Sequence, residues 1–343
     1  LTSLATFGSF FLIFMRFEGS VLIRYGIQLL GFTLVAVFTY YHSDILGNEF
    51  SKSKNNIIIL VLANMAVFGS LFWLLSASNI YLRIAIMVAF MGVYFTHNIE
   101  GSWTAHIWNF SPELHWFYNF AFLKYLCIVL PGSILGDLVL KYKADTNKLY
   151  ASNEVREAGL IALVCFGFLL FHIVTLYTRD LSFNIAGHFL FVVLYFVYFS
   201  REKKGQVTFY KILIGCGLVF STLGLFFEPL EGGIKKDPSS FSYWFMTSGL
   251  AFIFYVTCDY LTKMHSQNIL ISSLVKCGQN PMIAYCVTAF CVTPMLGLLQ
   301  ILPLLDNIAA SSPYLGLIRA GVFMFLMILI TNIATNKKWF WRS

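Results

Sequence analysis

Charge is what this chain lacks. Lysine, arginine, aspartate and glutamate make up 11% of its 343 residues, against about 25% in a soluble domain. There is too little polar surface to meet water on every side. Paired cysteines are missing too. Cys127, Cys165, Cys216, Cys258, Cys277, Cys286 and Cys291 form no Cys-x-x-Cys motif and lie in or beside apolar stretches, where a thiol behaves as a small hydrophobe. Neither a disulfide framework nor a metal centre is expected. Basic clusters interleaved with exposed aromatics are also lacking, so the formal charge of +7 does not point to nucleic acid.

What is there is apolar, and it comes in blocks. Hydrophobic residues make up 58% of the chain, in runs of about 20, the length that crosses a ~30 Å hydrocarbon core. These runs predict about eleven spans: Thr2–Met15, Val21–Tyr41, Ile57–Leu75, Ile80–Phe95, Phe117–Leu140, Gly159–Tyr177, Phe183–Phe199, Tyr210–Phe227, Phe241–Leu261, Pro281–Leu302 and Leu315–Thr335. The expected fold is all-α, a polytopic transmembrane helix bundle forming one integral-membrane domain over residues 1–343, with the lipid bilayer as its partner. The chain opens at Leu1 inside an apolar run, and the natural protein is expected to extend further toward its N-terminus. With no internal repeat, a transporter built from inverted repeats has no support in the sequence.

Basic residues set the orientation. If all eleven spans cross, sixteen Lys and Arg fall on one set of alternate loops and flanks, and five, Lys52, Lys54, Arg179, Lys235 and Lys236, on the other. This predicts a cytoplasmic C-terminus with its Trp residues at the interface, and an external Thr96–Trp116 segment.

That external segment holds His97, Glu100, Trp103, His106, Trp108, Glu113, His115 and Trp116 with no basic side chain. Indole rings stack on sugar faces and carboxylates bind hydroxyls, so it suits an outward cavity; an aromatic belt between solvated polar residues fits the same pattern. Lys124 stands out inside an apolar span, about seven residues from its outer end. An ammonium there must find a cavity, a partner or the headgroups. Glu228, Glu100 and Glu113 are the expected carboxylates. On the same helix, Pro131 predicts a kink, and Gly132 and Gly136 predict close helix packing. His172 and His188, at similar depth in consecutive spans, are expected to form a hydrogen-bonded pair or to face a cleft. Lys276-Cys-Gly-Gln-Asn-Pro-Met282 reads as a turn and helix start. Asn280 would be its N-cap and Pro281 its first residue. Free N–H groups there, with Lys276, suit a phosphate as well as a simple cap.

Three stretches together resemble integral-membrane proteins related to heparan-α-glucosaminide N-acetyltransferase, including a bacterial branch in Bacteroidetes. They are Phe227–Ala251, headed by Phe227-Glu-Pro-Leu-Glu-Gly-Gly233; Gly278-Gln-Asn-Pro-Met-Ile-Ala-Tyr285; and the ending Lys337-Lys-Trp-Phe-Trp-Arg342. Order and spacing agree over Phe227 to Ser343 and more loosely back to about Ile57. The resemblance implies a bacterial inner-membrane acyltransferase that passes acetyl from cytoplasmic acetyl-CoA to an external glucosamine-type sugar, with no metal. It places Lys276 and Asn280 at the donor, and His97, Glu100, Trp103, His106, Lys124, Glu228 and Lys235 around the acceptor cavity. Family members also carry an Asp-x-x-Arg-Gly helix and a catalytic His before an Asp-Leu-Val-Phe-Pro helix. Neither is here, and Asp137-Leu-Val139 falls at the opposite end of its span. The catalytic His is thus expected upstream of Leu1. A transporter or flippase for a sugar or lipid-linked sugar, with Lys124, Pro131 and Pro294 as cavity and hinge residues, is the alternative, followed by a non-catalytic scaffold. Whether the chain forms a homodimer is left open.

Overall fold

The computed structural model describes residues 2–15, 20–46, 57–77, 79–110, 118–146, 152–200 and 206–341. In chain order the helices are α1 (Thr2–Phe14), α2 (Val21–Leu46), α3 (Ile57–Leu75), α4 (Ile80–Thr96), α5 (Trp103–Trp108), α6 (Leu126–Thr146), α7 (Ser152–Tyr177) and α8 (Leu181–Tyr198). They continue with α9 (Gln206–Glu231), α10 (Phe241–Met264), α11 (Ile269–Gln279), α12 (Pro281–Val287), α13 (Thr293–Leu298), α14 (Ile301–Ser311) and α15 (Pro313–Asn336). A 3₁₀ turn, Phe120–Tyr125, leads into α6, and a π-helical turn, Thr288–Val292, joins α12 to α13. Lipid offers the backbone no partner, so a long apolar run must satisfy its own N–H and C=O groups, and the helix does this within one segment. Short polar side chains mark the starts. Asn79, Ser102, Asp180, Asn268 and Ser312 each accept a backbone N–H in the first turn of α4, α5, α8, α11 and α15. Among the described residues, nine helical stretches are long and apolar enough to cross a membrane. α1 and α4 are apolar but shorter. The protein is an all-α, polytopic integral membrane protein.

The chain divides into two compact units, Ser51–Lys263 (unit 2) and Leu1–Phe50 with Met264–Ser343 (unit 1). In unit 2, α9 and α10 approach most closely at glycines. A methyl group on Gly224 would stand 2.7 Å from the Met246 nitrogen, and one on Gly249 2.5 Å from the Ser221 nitrogen. Small residues thus set the helix contact, as expected where lipid supplies no hydrophobic drive, but at other positions than the sequence suggested. Gly132 and Gly136 have open space where a Cβ would stand. α6 runs unbroken through Pro131. One end of unit 2 carries the start of α4 and the end of α6; the other carries the end of α4, the 3₁₀ turn and the α9–α10 loop. His97, just past α4, lies about 20 Å along the helix axis from Arg83.

Unit 1 is built differently. α11 and α14 are amphipathic helices of 11 residues each, too short to register among apolar runs of about 20. They sit at opposite ends of α15. The Thr335 hydroxyl donates to the Lys276 carbonyl at 3.3 Å near one end, and Arg319 pairs with Asp306 at 2.6 Å near the other. The expected Pro281–Leu302 span is α12, the π turn and α13, ending at Leu298. Pro294 has no N–H, and the ladder shifts just before it, with the Thr293 N–H bonding the Thr288 carbonyl five residues back.

Candidate functional site

Of the residues expected from the sequence, His97, Trp108 and Lys124 lie at one end of unit 2. Asn119 caps the 3₁₀ turn by accepting from the Ala121 N–H at 2.9 Å. Lys124 therefore sits in a tight turn just before α6 rather than seven residues into a continuous α-helix. Its Nζ lies 5.5 Å from the Tyr125 ring centroid and 5.8 Å from that of Trp244. Trp244, 0% exposed, belongs to the first turn of α10, so Lys124 faces the inside of unit 2. The expected ion pair with Glu100 or Glu228 does not form: among the described residues no carboxylate reaches Lys124. The rings take that place, each offering a negative face to the cation. Glu113, the third expected partner, and His115 lie outside the described residues.

The carboxylate that organises this end is Glu231. Its two oxygens accept the N–H groups of Phe241 and Ser242 at 2.8 Å each, holding the start of α10 against the end of α9 and matching the partial positive charge of a helix N-terminus. Ser240 folds the loop by accepting from the Lys235 N–H at 3.1 Å. Ser239 then reaches the Tyr125 hydroxyl at 2.9 Å. An aromatic layer runs alongside: Trp108 stacks on His97 with centroids 4.0 Å apart, and Tyr94 packs edge-on against Phe241 at 4.9 Å. Phe241 meets Trp244 at 4.7 Å. The ring of His97 also bonds the Tyr94 carbonyl.

Residues 1–139 match the family model of a domain of unknown function, DUF5009. That match takes in His97 and Lys124 but stops short of Glu231 and Trp244. No curated protein and no solved structure matches this chain.

The remaining expected residues disperse. Trp103, 68% exposed, turns away from the aromatic layer and, with Thr96, Ile107 and Phe120, lines a mostly apolar groove of about 690 Å³ between α4, α5 and the 3₁₀ turn. Glu100 and His106 are exposed. Lys235 is exposed, its ammonium donating to the Glu231 carbonyl at 3.3 Å. Glu228 is half-buried and contributes its carbonyl to the Gly233 N–H at 3.1 Å.

In unit 1, Asn280 is 0% exposed but makes no side-chain cap bond. The expected N-cap is replaced by a longer-range task. Its amide Nδ2 donates to the Trp339 carbonyl at 2.7 Å, and its Oδ1 accepts the Trp341 N–H at 3.2 Å. Two of the three stretches that carry the family resemblance thus bind each other, and Asn280 could take a donor phosphate only by releasing the C-terminal tail. Trp341, expected at the membrane interface, is 4% exposed, and its indole N–H donates to the Phe10 carbonyl at 2.9 Å. Lys276 lies in the last turn of α11, not in a free turn.

Two polar networks lie inside unit 2. His172 Nε2 and His188 Nδ1 are 3.0 Å apart, His188 Nε2 is 2.8 Å from Thr222 Oγ1, and Thr222 donates onward to the Leu218 carbonyl at 2.7 Å. With Thr222 spending its proton on that carbonyl, it accepts from His188, and His188 accepts from His172. The hydrogen-bonded pair read from the sequence is present. At the opposite end from Lys124, Arg83 is 0% exposed and bonds Asp137 at 2.8 Å, Ser133 at 3.0 Å and Ser76 at 3.2 Å. Trp73 donates to the same carboxylate at 3.2 Å. Arg83 is thus the centre of a buried clamp.

Proposed function

We propose that this protein is a membrane acyltransferase that moves acetyl from cytoplasmic acetyl-CoA to a glucosamine-type sugar outside a bacterial inner membrane. The observation that carries this reading is the construction of the Lys124 end. The stretch Phe227–Ala251, on which much of the family resemblance rests, brings Trp244 against Lys124 and Ser239 against Tyr125, with Glu231 holding the start of α10. Acetyl transfer breaks the thioester C–S bond and forms a C–N or C–O bond, while the acceptor's proton passes to the departing thiolate. A site with cationic, hydroxyl and aromatic groups together suits binding of the acceptor sugar. The orientation draws support from unit 1. Met15 pairs with Trp341, which sets the end of α1 beside the tail that carries Lys337 and Lys338.

The test uses membranes from cells that make the natural protein, incubated with acetyl-CoA labelled in the acetyl group. Label should enter a glucosamine-type sugar, and a strain without the gene should lose that incorporation. Undiminished labelling in that strain would overturn the reading. The alternative, a flippase for a lipid-linked sugar, is favoured by the π turn before Pro294, a mid-span break of the kind found at functional hinges.

A further inference from the structure

Three hydrogen-bond donors gather at the Lys124 end with no acceptor among the described residues. The Trp244 indole N–H is fully buried and has no partner among the described residues. The Lys124 ammonium lies over the rings of Trp244 and Tyr125 with no carboxylate in reach among those residues. The Tyr125 hydroxyl already accepts from Ser239, which leaves its own proton to give. The Glu231 carboxylate at the same end accepts the N–H groups of Phe241 and Ser242. Aromatic faces attract an ammonium but do not neutralise it, and an unpaired indole N–H in a dry site forfeits a full hydrogen bond.

We infer that Lys124, Tyr125 and Trp244 hold a phosphate group. A water molecule accepts at most two hydrogen bonds, whereas a phosphate brings several charged oxygens, one for each donor, and the countercharge that an ammonium at the hydrocarbon edge requires. The neighbouring groove points to what carries the phosphate. Phe120, one wall of that groove, is four residues from Lys124 in the same 3₁₀ turn, about 8 Å along its axis. A phosphate at Lys124 would thus have room beside it for a hydrocarbon tail. The inference rests on the acceptor-site reading above and narrows it to a sugar linked to phosphate, but it is measured by binding alone, so either can fail without the other.

The probes are dioctanoyl phosphatidic acid, the uncharged dioctanoylglycerol and inorganic phosphate, titrated into the purified full chain in detergent. Phosphatidic acid should bind saturably and dioctanoylglycerol at least tenfold more weakly. Lys124→Gln and Trp244→Phe, which keeps a ring while deleting the N–H, should each weaken phosphatidic acid binding about tenfold or more. Inorganic phosphate binding as tightly as the lipid, with the same loss in both variants, would keep the phosphate site and assign it to a free anion. Equal binding of the charged and uncharged lipids, or wild-type affinity in Lys124→Gln, would overturn the inference. Lys124 is partly exposed, so that variant decides the matter even if Trp244→Phe fails to fold.

Discussion

Unit 2 and unit 1 solve the same problem by opposite means. Unit 2 is one continuous stretch of chain, and many of its polar groups pair through side chains that reach across neighbouring helices: Arg83 to Asp137, His172 to His188, Tyr210 to Asp259 at 2.8 Å. Close glycine contacts then set the distance between α9 and α10. Unit 1 is made of two stretches far apart in sequence. Its helices leave much of their surface uncovered, and one buried amide, Asn280, ties the α11–α12 junction to the C-terminal tail. In lipid the gain from association comes from packing and hydrogen bonds rather than from apolar burial. Unit 2 distributes that gain over many pairs, whereas in unit 1 Asn280 alone makes two of the bonds that hold the tail.

The contrast can be broken from either side. The largest effect is expected in unit 2. Arg83→Met strands the Asp137 carboxylate, a quarter of whose side chain is exposed, beside an apolar neighbour, and should cost about 3 kcal/mol. Thermal unfolding in detergent measures it. A loss below about 1 kcal/mol would mean that the clamp contributes little and that unit 2 does not depend on its buried charges.

Next comes Asn280→Ala. Two hydrogen bonds vanish and the Trp341 N–H stays buried, a loss of about 2 kcal/mol. Its signature is local: proteolysis near Trp339–Trp341 should quicken well before the whole protein unfolds. Unchanged protection of the tail would show that the aromatic contacts of Trp341 with Phe7 and Phe11 suffice to hold it.

The smallest effect belongs to Arg319→Gln. Its pair with Asp306 is the shortest ion pair described, yet both side chains are more than two-fifths exposed. Solvent should reduce the loss to about 0.5 kcal/mol or less, near the limit of a thermal measurement. A loss above about 1 kcal/mol would show α14 to be fastened to α15 through this pair.

The features that were legible in the sequence are those that a local rule governs. The apolar blocks are largely helical because length and hydropathy decide that question within each block, and nine helical stretches among the described residues are long enough to cross a membrane. Lys124 was found because a cation in such a block needs a reason to be there. The features that escaped depend on partners far away along the chain. Arg83 and Ser133, 50 residues apart, meet only once α4 and α6 pack. Nothing near Glu231 marks it as the cap of a helix ten residues on, and a tryptophan inside a span gives no sign that its N–H will go unpartnered. α11 and α14 were missed for another reason: a search tuned to runs of about 20 residues passes over amphipathic helices of 11. Arg319, next to such a helix, was missed with them.

The bond from the Trp341 indole to the Phe10 carbonyl joins positions 331 residues apart. During synthesis at about 5–20 residues per second, α1 therefore leaves the ribosome between roughly 15 and 65 s before the residue that completes its packing. Unit 2, contiguous in sequence, can assemble in that interval, while the opening helices of unit 1 must be kept from other partners. Trp339 and Trp341 thus complete unit 1: a nascent chain halted before Trp339 would carry all of unit 2 and a unit 1 without its clasp.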